Sequence, residues 1–265
     1  MTYPLKLETK IVDKPWGRVG VDPQFGVDGD RQVGEIWFEP PPARALDLMC
    51  KYLFTTERLS IQVHPDDAMA QARGFPRGKD ECWIVLAVEE GAELGIGTVR
   101  EASGDEIVAA ARDGSIVDLL DWRTPAVGDF IYNPAGTIHA LGPGLTVLEI
   151  QQAVDLTYRL FDYGRPRELH LDEARDVVQA RPHAHRLDGK VGERSALLVA
   201  GPHFGVAWCV GEPPLLPQGM TDVHLLPIDR PVAGVAPGEC ALVDERSVRR
   251  LRSEGTFVLA WSPPR

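Results

Sequence analysis

Three stretches of the sequence carry imidazoles, an amide and a carboxylate at spacings that could hold a metal ion. The first is Gly128-Asp129-Phe130-Ile131-Tyr132-Asn133-Pro134-Ala135-Gly136-Thr137-Ile138-His139. Phe130 to Tyr132 reads as a strand, Pro134 and Gly136 as a turn, and His139 as the first residue of the next strand. Imidazole is the commonest protein ligand for transition metals, and a rigid strand beside a tight turn positions it well. The second stretch is Leu59-Ser60-Ile61-Gln62-Val63-His64-Pro65-Asp66-Asp67. Apolar Leu59, Ile61 and Val63 alternate with Ser60, Gln62 and His64, so the three polar side chains share one strand face. In a barrel that face can be the inside. The third, Lys79-Asp80-Glu81-Cys82-Trp83-Ile84-Val85-Leu86, is an apolar strand with Lys79 and Glu81 on one face at its mouth and Cys82 on the other. Taken singly, each polar residue reads as surface or as a satisfied core group. Taken together, Gln62, His64, Glu81 and His139 form an N2O2 donor set. It suits one Zn2+ per chain, or another borderline divalent ion such as Mn, Fe, Co or Ni.

The elements that must position these residues can be read around them. Gly34 to Glu39 reads as a strand stopped by Pro40-Pro41-Pro42, inside a first 60 residues otherwise rich in turn signals such as Pro15-Trp16-Gly17. Pro65 to Arg73 suits a short helix with Asp66 or Asp67 at its positive end and Gly74 as its stop. Asp105 to Arg112 and Ile116 to Trp122 repeat apolar residues at helical spacing, with Gly114 closing the first and Ser115 free to cap the second. Leu145 to Ala153 and Leu156 to Phe161 return to strand pattern, and Leu171 to Arg181 reads as an amphipathic helix. Arg181 to Gly192 is polar and carries His183 and His185; lacking a fixed acid nearby, this pair reads as part of a solvated loop. Six short strands are expected beyond it, at Ala196 to Ala200, Phe204 to Val210, His224 to Pro227, Val232 to Val235, Cys240 to Val243 and Thr256 to Trp261. The expected division is a metal-binding domain over 1–182, with helical insertions, and a smaller β domain without metal over 183–265.

Composition narrows the class. The chain has 265 residues, 44% hydrophobic and 25% charged, enough for one large or two small domains with ample core. A net charge of −11 argues against nucleic acid as a general partner. No apolar run approaches the length of a membrane span, and the N-terminal residues lack the apolar core of a secretory signal. Cys50, Cys82, Cys209 and Cys240 are scattered without a C-x-x-C pair, as in a reduced cytoplasmic protein.

With these residues in place, the chain resembles type I mannose-6-phosphate isomerase, the cupin-fold phosphomannose isomerase family, in its short bacterial form. The matching stretches are Lys14-Pro15-Trp16-Gly17, Gly34-Glu35-Ile36-Trp37, Ser60 to Asp66, Gly78 to Trp83, Gly128 to His139, Glu149-Ile150-Gln151-Gln152 and Tyr158 to Arg165. They span roughly residues 10 to 180. The resemblance implies a mainly β fold: a cupin jelly-roll barrel with helical insertions and a smaller C-terminal β-unit. It implies zinc on Gln62, His64, Glu81 and His139, and active-site roles for Arg159 and for Lys79. It implies sugar-phosphate contacts from Ser60 and from Arg165, where the family often has lysine. The implied reaction is reversible conversion of mannose 6-phosphate to fructose 6-phosphate through a cis-enediol, in a monomer or homodimer. Two departures from the general cupin pattern, Gln62 in place of a first histidine and the long gap from His64 to Glu81, both fit the isomerases.

Proton transfer between C2 and C1 needs a base, and Lys79 is the candidate; Arg159, always protonated, can only stabilise charge or grip phosphate. A metal-dependent cupin oxygenase is a rival reading, because two histidines and a carboxylate also make the triad of non-haem iron enzymes. Gln62 as a fourth ligand, with Lys79 and Arg159 beside it, suits an anionic sugar better than dioxygen. A non-catalytic sugar-phosphate-binding cupin is the second rival; it would bind without turnover.

Overall fold

Alternation along short strands decides which side chains meet helices and which meet each other. The computed structural model describes residues 4–42 and 44–264, so the first three residues of the N-terminal stretch lie outside it. The chain divides into two compact units, neither continuous in sequence. One comprises Leu53–Val147 and Val154–Asp188; the other comprises the residues up to Tyr52, Leu148–Ala153 and those from Gly189 onward. The architecture is mainly β and antiparallel with helices inserted between strands, as the sequence implies.

In the unit of Leu53–Val147 and Val154–Asp188, five strands lie in the order Tyr158–Phe161, Ile61–Val63, His139–Leu141, Leu94–Thr98 and Leu120–Arg123. Their odd-and-even pattern is consistent across neighbours. Ile61, Val63, Ile138, Ala140, Tyr158 and Leu160 enter one apolar cluster with Ile107, Ala111, Ile116, Ala174 and Val177 from the helices. Each buried Ile, Val or Leu among them contributes about 1.5–3 kcal/mol. A slip of one residue would bury Gln62, His139 and Arg159 under the helices instead, so the hydrophobic pattern fixes the register. Glu81–Val88 and Asp129–Asn133 form a further antiparallel pair, with Glu81 opposite Asn133.

The helices start where capping chemistry allows. Asp66 accepts the Met69 amide at 2.8 Å and opens Asp67–Ala72. Ser103 and Glu106 form a reciprocal capping box at Gly104–Asp113, which ends at Gly114 with φ 87°. The expected helix over Ile116 to Trp122 stops after Leu119, and Leu120–Arg123 becomes a strand beside Leu94–Thr98. Ser115 does not cap it, since its hydroxyl donates to Asp113 at 2.6 Å. Gly95 leaves the space that Leu120 fills across the strands; a Cβ there would stand 2.3 Å from Leu120 Cδ2. The helix expected over Leu171 to Arg181 is also shorter, Leu171–Val177, because the chain turns extended at Val178.

In the other unit, a sheet runs in the order Leu5–Lys6, Ala241–Val243, Thr221–Pro227, Thr256–Ser262, Gly205–Val210 and Ala196–Ala200. The C-terminal strands are therefore extended by a strand from the other end of the chain. The strand expected at Val232 to Val235 is instead a bridge between those two residues around Ala233 and Gly234, whose φ values are 51° and 81°. Glu8–Arg18 pairs with Val33–Glu39, with irregular register around Asp13. The Pro15-Trp16-Gly17 break thus lies inside a strand. The cysteines are all free and buried. No helix among the described residues is long and apolar enough to cross a membrane.

Candidate metal centre

Three neighbouring strands carry three expected site residues in one row. Gln62 stands opposite Arg159 on one side and opposite His139 on the other. Cross-strand partners project to the same face, which is the face away from the helices. His64 follows the same strand, and Glu81 comes from the start of Glu81–Val88. The Nε2 atoms of both histidines and a carboxylate oxygen of Glu81 lie within 4.8 Å of one another. Oε1 of Glu81 is 3.3 Å from His139 Nε2, and Oε2 is 3.5 Å from His64 Nε2. The three residues are each only 1% exposed.

Backbone carbonyls orient both rings. His64 Nδ1 meets the Leu156 carbonyl at 2.9 Å, and His139 Nδ1 meets that of Thr137 at 2.9 Å. A carbonyl only accepts, so each Nδ1 must carry the proton and each Nε2 lone pair points into the cluster. This is the outer-sphere arrangement typical of metal-bound histidine. Burial pushes the His64 pKa well below its ordinary value, and Lys79 adds to the effect. Burial likewise lowers that of His139, so both rings are neutral and available as ligands. Burial alone would raise the Glu81 pKa, but Lys79 beside it overcomes that and holds the carboxyl far below the usual carboxylate range.

Gln62 Nε2 stands 3.2 Å from His139 Nε2, while Ser60 donates to Gln62 Oε1 at 3.2 Å. A half-turn of the amide presents Oε1 to the cluster instead, and the Ser60 hydroxyl can serve either orientation because it donates and accepts. Lys79 Nζ lies 2.9 Å from Glu81 Oε2 and 3.2 Å from His64 Nε2, with Lys79 5% exposed. Sequence reading left open a solvated lysine; the structure puts it inside. The Trp83 ring lies 5.3 Å from that of His139 and gives the cluster an apolar wall. Neutral imidazoles, one carboxylate and a turnable amide fit a borderline divalent ion.

Arg159 and Arg165, the two arginines expected at the site, differ in placement. Arg159 Nη1 donates to the Glu168 carbonyl at 2.6 Å, and its buried Nε has no hydrogen-bond partner. Arg165 is engaged by Asp162 at 3.1 Å, Glu57 at 2.8 Å and the Arg58 carbonyl at 2.9 Å, away from the row of ligands in its hydrogen bonding.

No protein-family model matches the chain. The mannose-6-phosphate isomerase of Streptococcus mutans is 31% identical over 248 residues, covering 78% of this chain and 78% of the relative. The chain belongs to the mannose-6-phosphate isomerase family. The crystal structure of mannose 6-phosphate isomerase from Bacillus subtilis superposes with a TM-score of 0.78 at 25% identity, over 98% of this chain and 99% of that one. A zinc-bound mannose 6-phosphate isomerase shares the fold, with a TM-score of 0.67 at 14% identity over 97% and 99% of the two chains. The fold is accordingly that of the cupin isomerases.

Around the candidate centre, the structure adds residues that the sequence reading passed over. Asn133 Nδ2 donates to Glu81 Oε1 at 2.8 Å. Tyr132 donates through its hydroxyl to Asp80 at 2.6 Å, and Asp80 also accepts the Ala135 amide at 2.9 Å. Asn133 was visible only as part of the turn signature, because its cross-strand partner was unknown. His183 and His185 lie in a loop as expected, with Arg181, Pro182, Ala184 and Arg186 exposed, but the two imidazole rings fold against the protein. The His183 side chain is 5% exposed and 2.8 Å from Asp188, and His185 stacks on Tyr132 at 4.7 Å. The acid the sequence reading lacked was Asp188, five residues on.

Proposed function

We propose that this chain is a metal-dependent aldose–ketose isomerase that interconverts mannose 6-phosphate and fructose 6-phosphate. The observation that carries the reading is the pair of buried imidazoles pinned at Nδ1, with Nε2 facing Glu81. Gln62, His64, Glu81 and His139 would hold the ion, and we assign zinc, the metal named for the zinc-bound fold neighbour. Bound there, it supplies Lewis acidity toward sugar oxygens, keeping net positive charge because only Glu81 is an anion.

The chain's own residues do the rest. Isomerisation through a cis-enediol moves one proton between C2 and C1 and another between their oxygens. We assign the carbon-bound proton to Lys79 Nζ, whose place beside the cluster puts it within reach of a substrate there. Arg159 shares the ligands' strand face and stays protonated, so it stabilises the negative charge developing on the sugar. Ser60 and Arg165 are assigned to the sugar phosphate; the Glu57 carboxylate, 58% exposed, is a partner that Arg165 can exchange for it. We assign this work to the unit of Leu53–Val147 and Val154–Asp188, and a structural role without metal to the C-terminal strands. Four buried thiols without a disulfide support a cytoplasmic setting.

The test is turnover of mannose 6-phosphate by metal-stripped protein before and after zinc is added. Activity should appear with zinc; equal rates with and without it would overturn the metal assignment. Lys79→Met should lower the rate by at least about tenfold, or about 1.4 kcal/mol, and a smaller loss removes Lys79 from the chemistry.

A further inference from the structure

The loop from Arg181 to Asp188 is built onto the strands around the metal centre by contacts that the isomerase reading leaves unused. Thr98 donates its amide to the Arg181 carbonyl at 3.0 Å, and Arg123 Nη2 donates to the His183 carbonyl at 2.7 Å. Gly97 bridges to Pro182, and a Cβ at Gly97 would stand 2.6 Å from the His183 nitrogen. That position must therefore lack a side chain for the loop to seat. Once seated, the loop delivers two groups to one strand. Asp188 Oδ1 accepts the Tyr132 backbone amide at 2.9 Å, while Asp188 Oδ2 is held by His183 Nε2 at 2.8 Å. His185 lies flat on the Tyr132 ring, 4.7 Å away with the planes 20° apart.

Tyr132 is the residue next to Asn133, and Asn133 is the one whose amide fixes Glu81 Oε1. Tyr132 is also tied to Asp80, the residue next to Glu81. Both neighbours of the hydrogen bond that orients the carboxylate ligand are thus anchored. We propose that His183 and Asp188 are positioning residues for the metal centre: together they clamp the Tyr132 peptide and so set the Asn133 amide against Glu81. The proposal rests on the reading of His64, Glu81 and His139 as metal ligands. Outer partners of a ligand typically change metal affinity by about 10–100-fold when removed, and this clamp acts one step further out through the strand.

The test is cobalt(II) titration of the metal-stripped full chain, read by visible absorption, which reports coordination independently of activity. Asp188→Ala should weaken cobalt binding by about tenfold and alter the band shape. Asp188→Asn keeps an acceptor for the Tyr132 amide, so it should restore affinity to within about threefold of wild type. His183→Gln should fall between the two. Arg186→Ala, an exposed change in the same loop, should bind as wild type does. Circular dichroism of the metal-free variants establishes that each is folded; if Asp188→Ala is not, His183→Gln and Asp188→Asn still decide the matter. Wild-type affinity and spectrum in every folded clamp variant would overturn the proposal. Failure of the wild-type chain itself to take up cobalt or zinc would overturn the metal reading along with it.

Discussion

In the proposed centre Gln62 sets the charge, because it is the assigned ligand that could have been an anion and is not. With Glu81 as the one carboxylate, a divalent ion keeps a net positive charge to act on the sugar. Gln62→Glu has nearly the same size and can keep the Ser60 contact now made at 3.2 Å. It should therefore retain metal, measured as ion per chain after dialysis, while kcat falls by about tenfold or more and KM changes little. Loss of the ion would instead mean that the amide packs the site without ligating. The same argument separates Lys79 from a mere counterion. Lys79→Met removes the ammonium that stands 2.9 Å from Glu81 and leaves an apolar chain of similar length. Metal content should survive it, and turnover should not.

At the scale of elements, the centre depends on how closely the Gly78-Lys79 approach packs on the Pro65-Asp66 turn. Gly78 lies so near that a Cβ would stand 2.3 Å from the Asp66 carbonyl carbon. The Lys79 amide donates to the Pro65 carbonyl at 3.0 Å, and the Gly78 amide to Asp67 at 2.8 Å. Gly78→Ala must push Glu81 away from His64, so it should cost about 1–3 kcal/mol of stability and most of the metal affinity. Gly74→Ala is the contrast: φ is 84° but nothing lies within 4 Å of the new Cβ. It should cost about 1 kcal/mol in thermal or urea unfolding and leave metal binding unchanged. The alternation of Leu59 to His64 made the ligand strand legible, because the apolar half of the pattern has helices to bury against. The same logic failed at Leu120, where a strand partner outweighed helical spacing, and at Glu8–Arg18, where turn residues sit within an irregular strand. It could not see Asn133 against Glu81, since pairing across the fold has no local signal, and it missed His183 against Asp188, five residues on, because that contact depends on how the loop folds back.

Acid stability belongs to the whole molecule, and two buried groups outside the metal centre divide it into windows. His224 is 1% exposed on Thr221–Pro227, with its ring against the backbone of Asp222 and Ala260. Burial pushes its pKa down to about 4 from an ordinary 6.5; Asp222 opposes that shift and Arg44 adds to it. The unfolded chain therefore takes up this proton more readily than the folded one as pH falls. Stability is complete above pH 6.5 and declines toward pH 4, by about 3 kcal/mol in all. Glu35 behaves differently. Its burial would raise its pKa, but Lys51, Lys14 at 3.3 Å and the Trp37 indole N–H at 2.5 Å bring it below the ordinary 4.5. Its contribution is present above pH 4.5 and is lost only as pH drops further. Urea midpoints of the full chain measured from pH 7.5 to 4.5 should thus hold level to about pH 6.5 and fall below it in the wild type. In His224→Leu the fall should be shallower by the share of His224, because a neutral side chain has no proton to gain, while the buried His64 and His139 still contribute theirs. Glu35→Gln should lower the curve without changing its slope in this range. A His224→Leu chain that still lost stability as steeply as wild type would place the acid-sensitive group elsewhere.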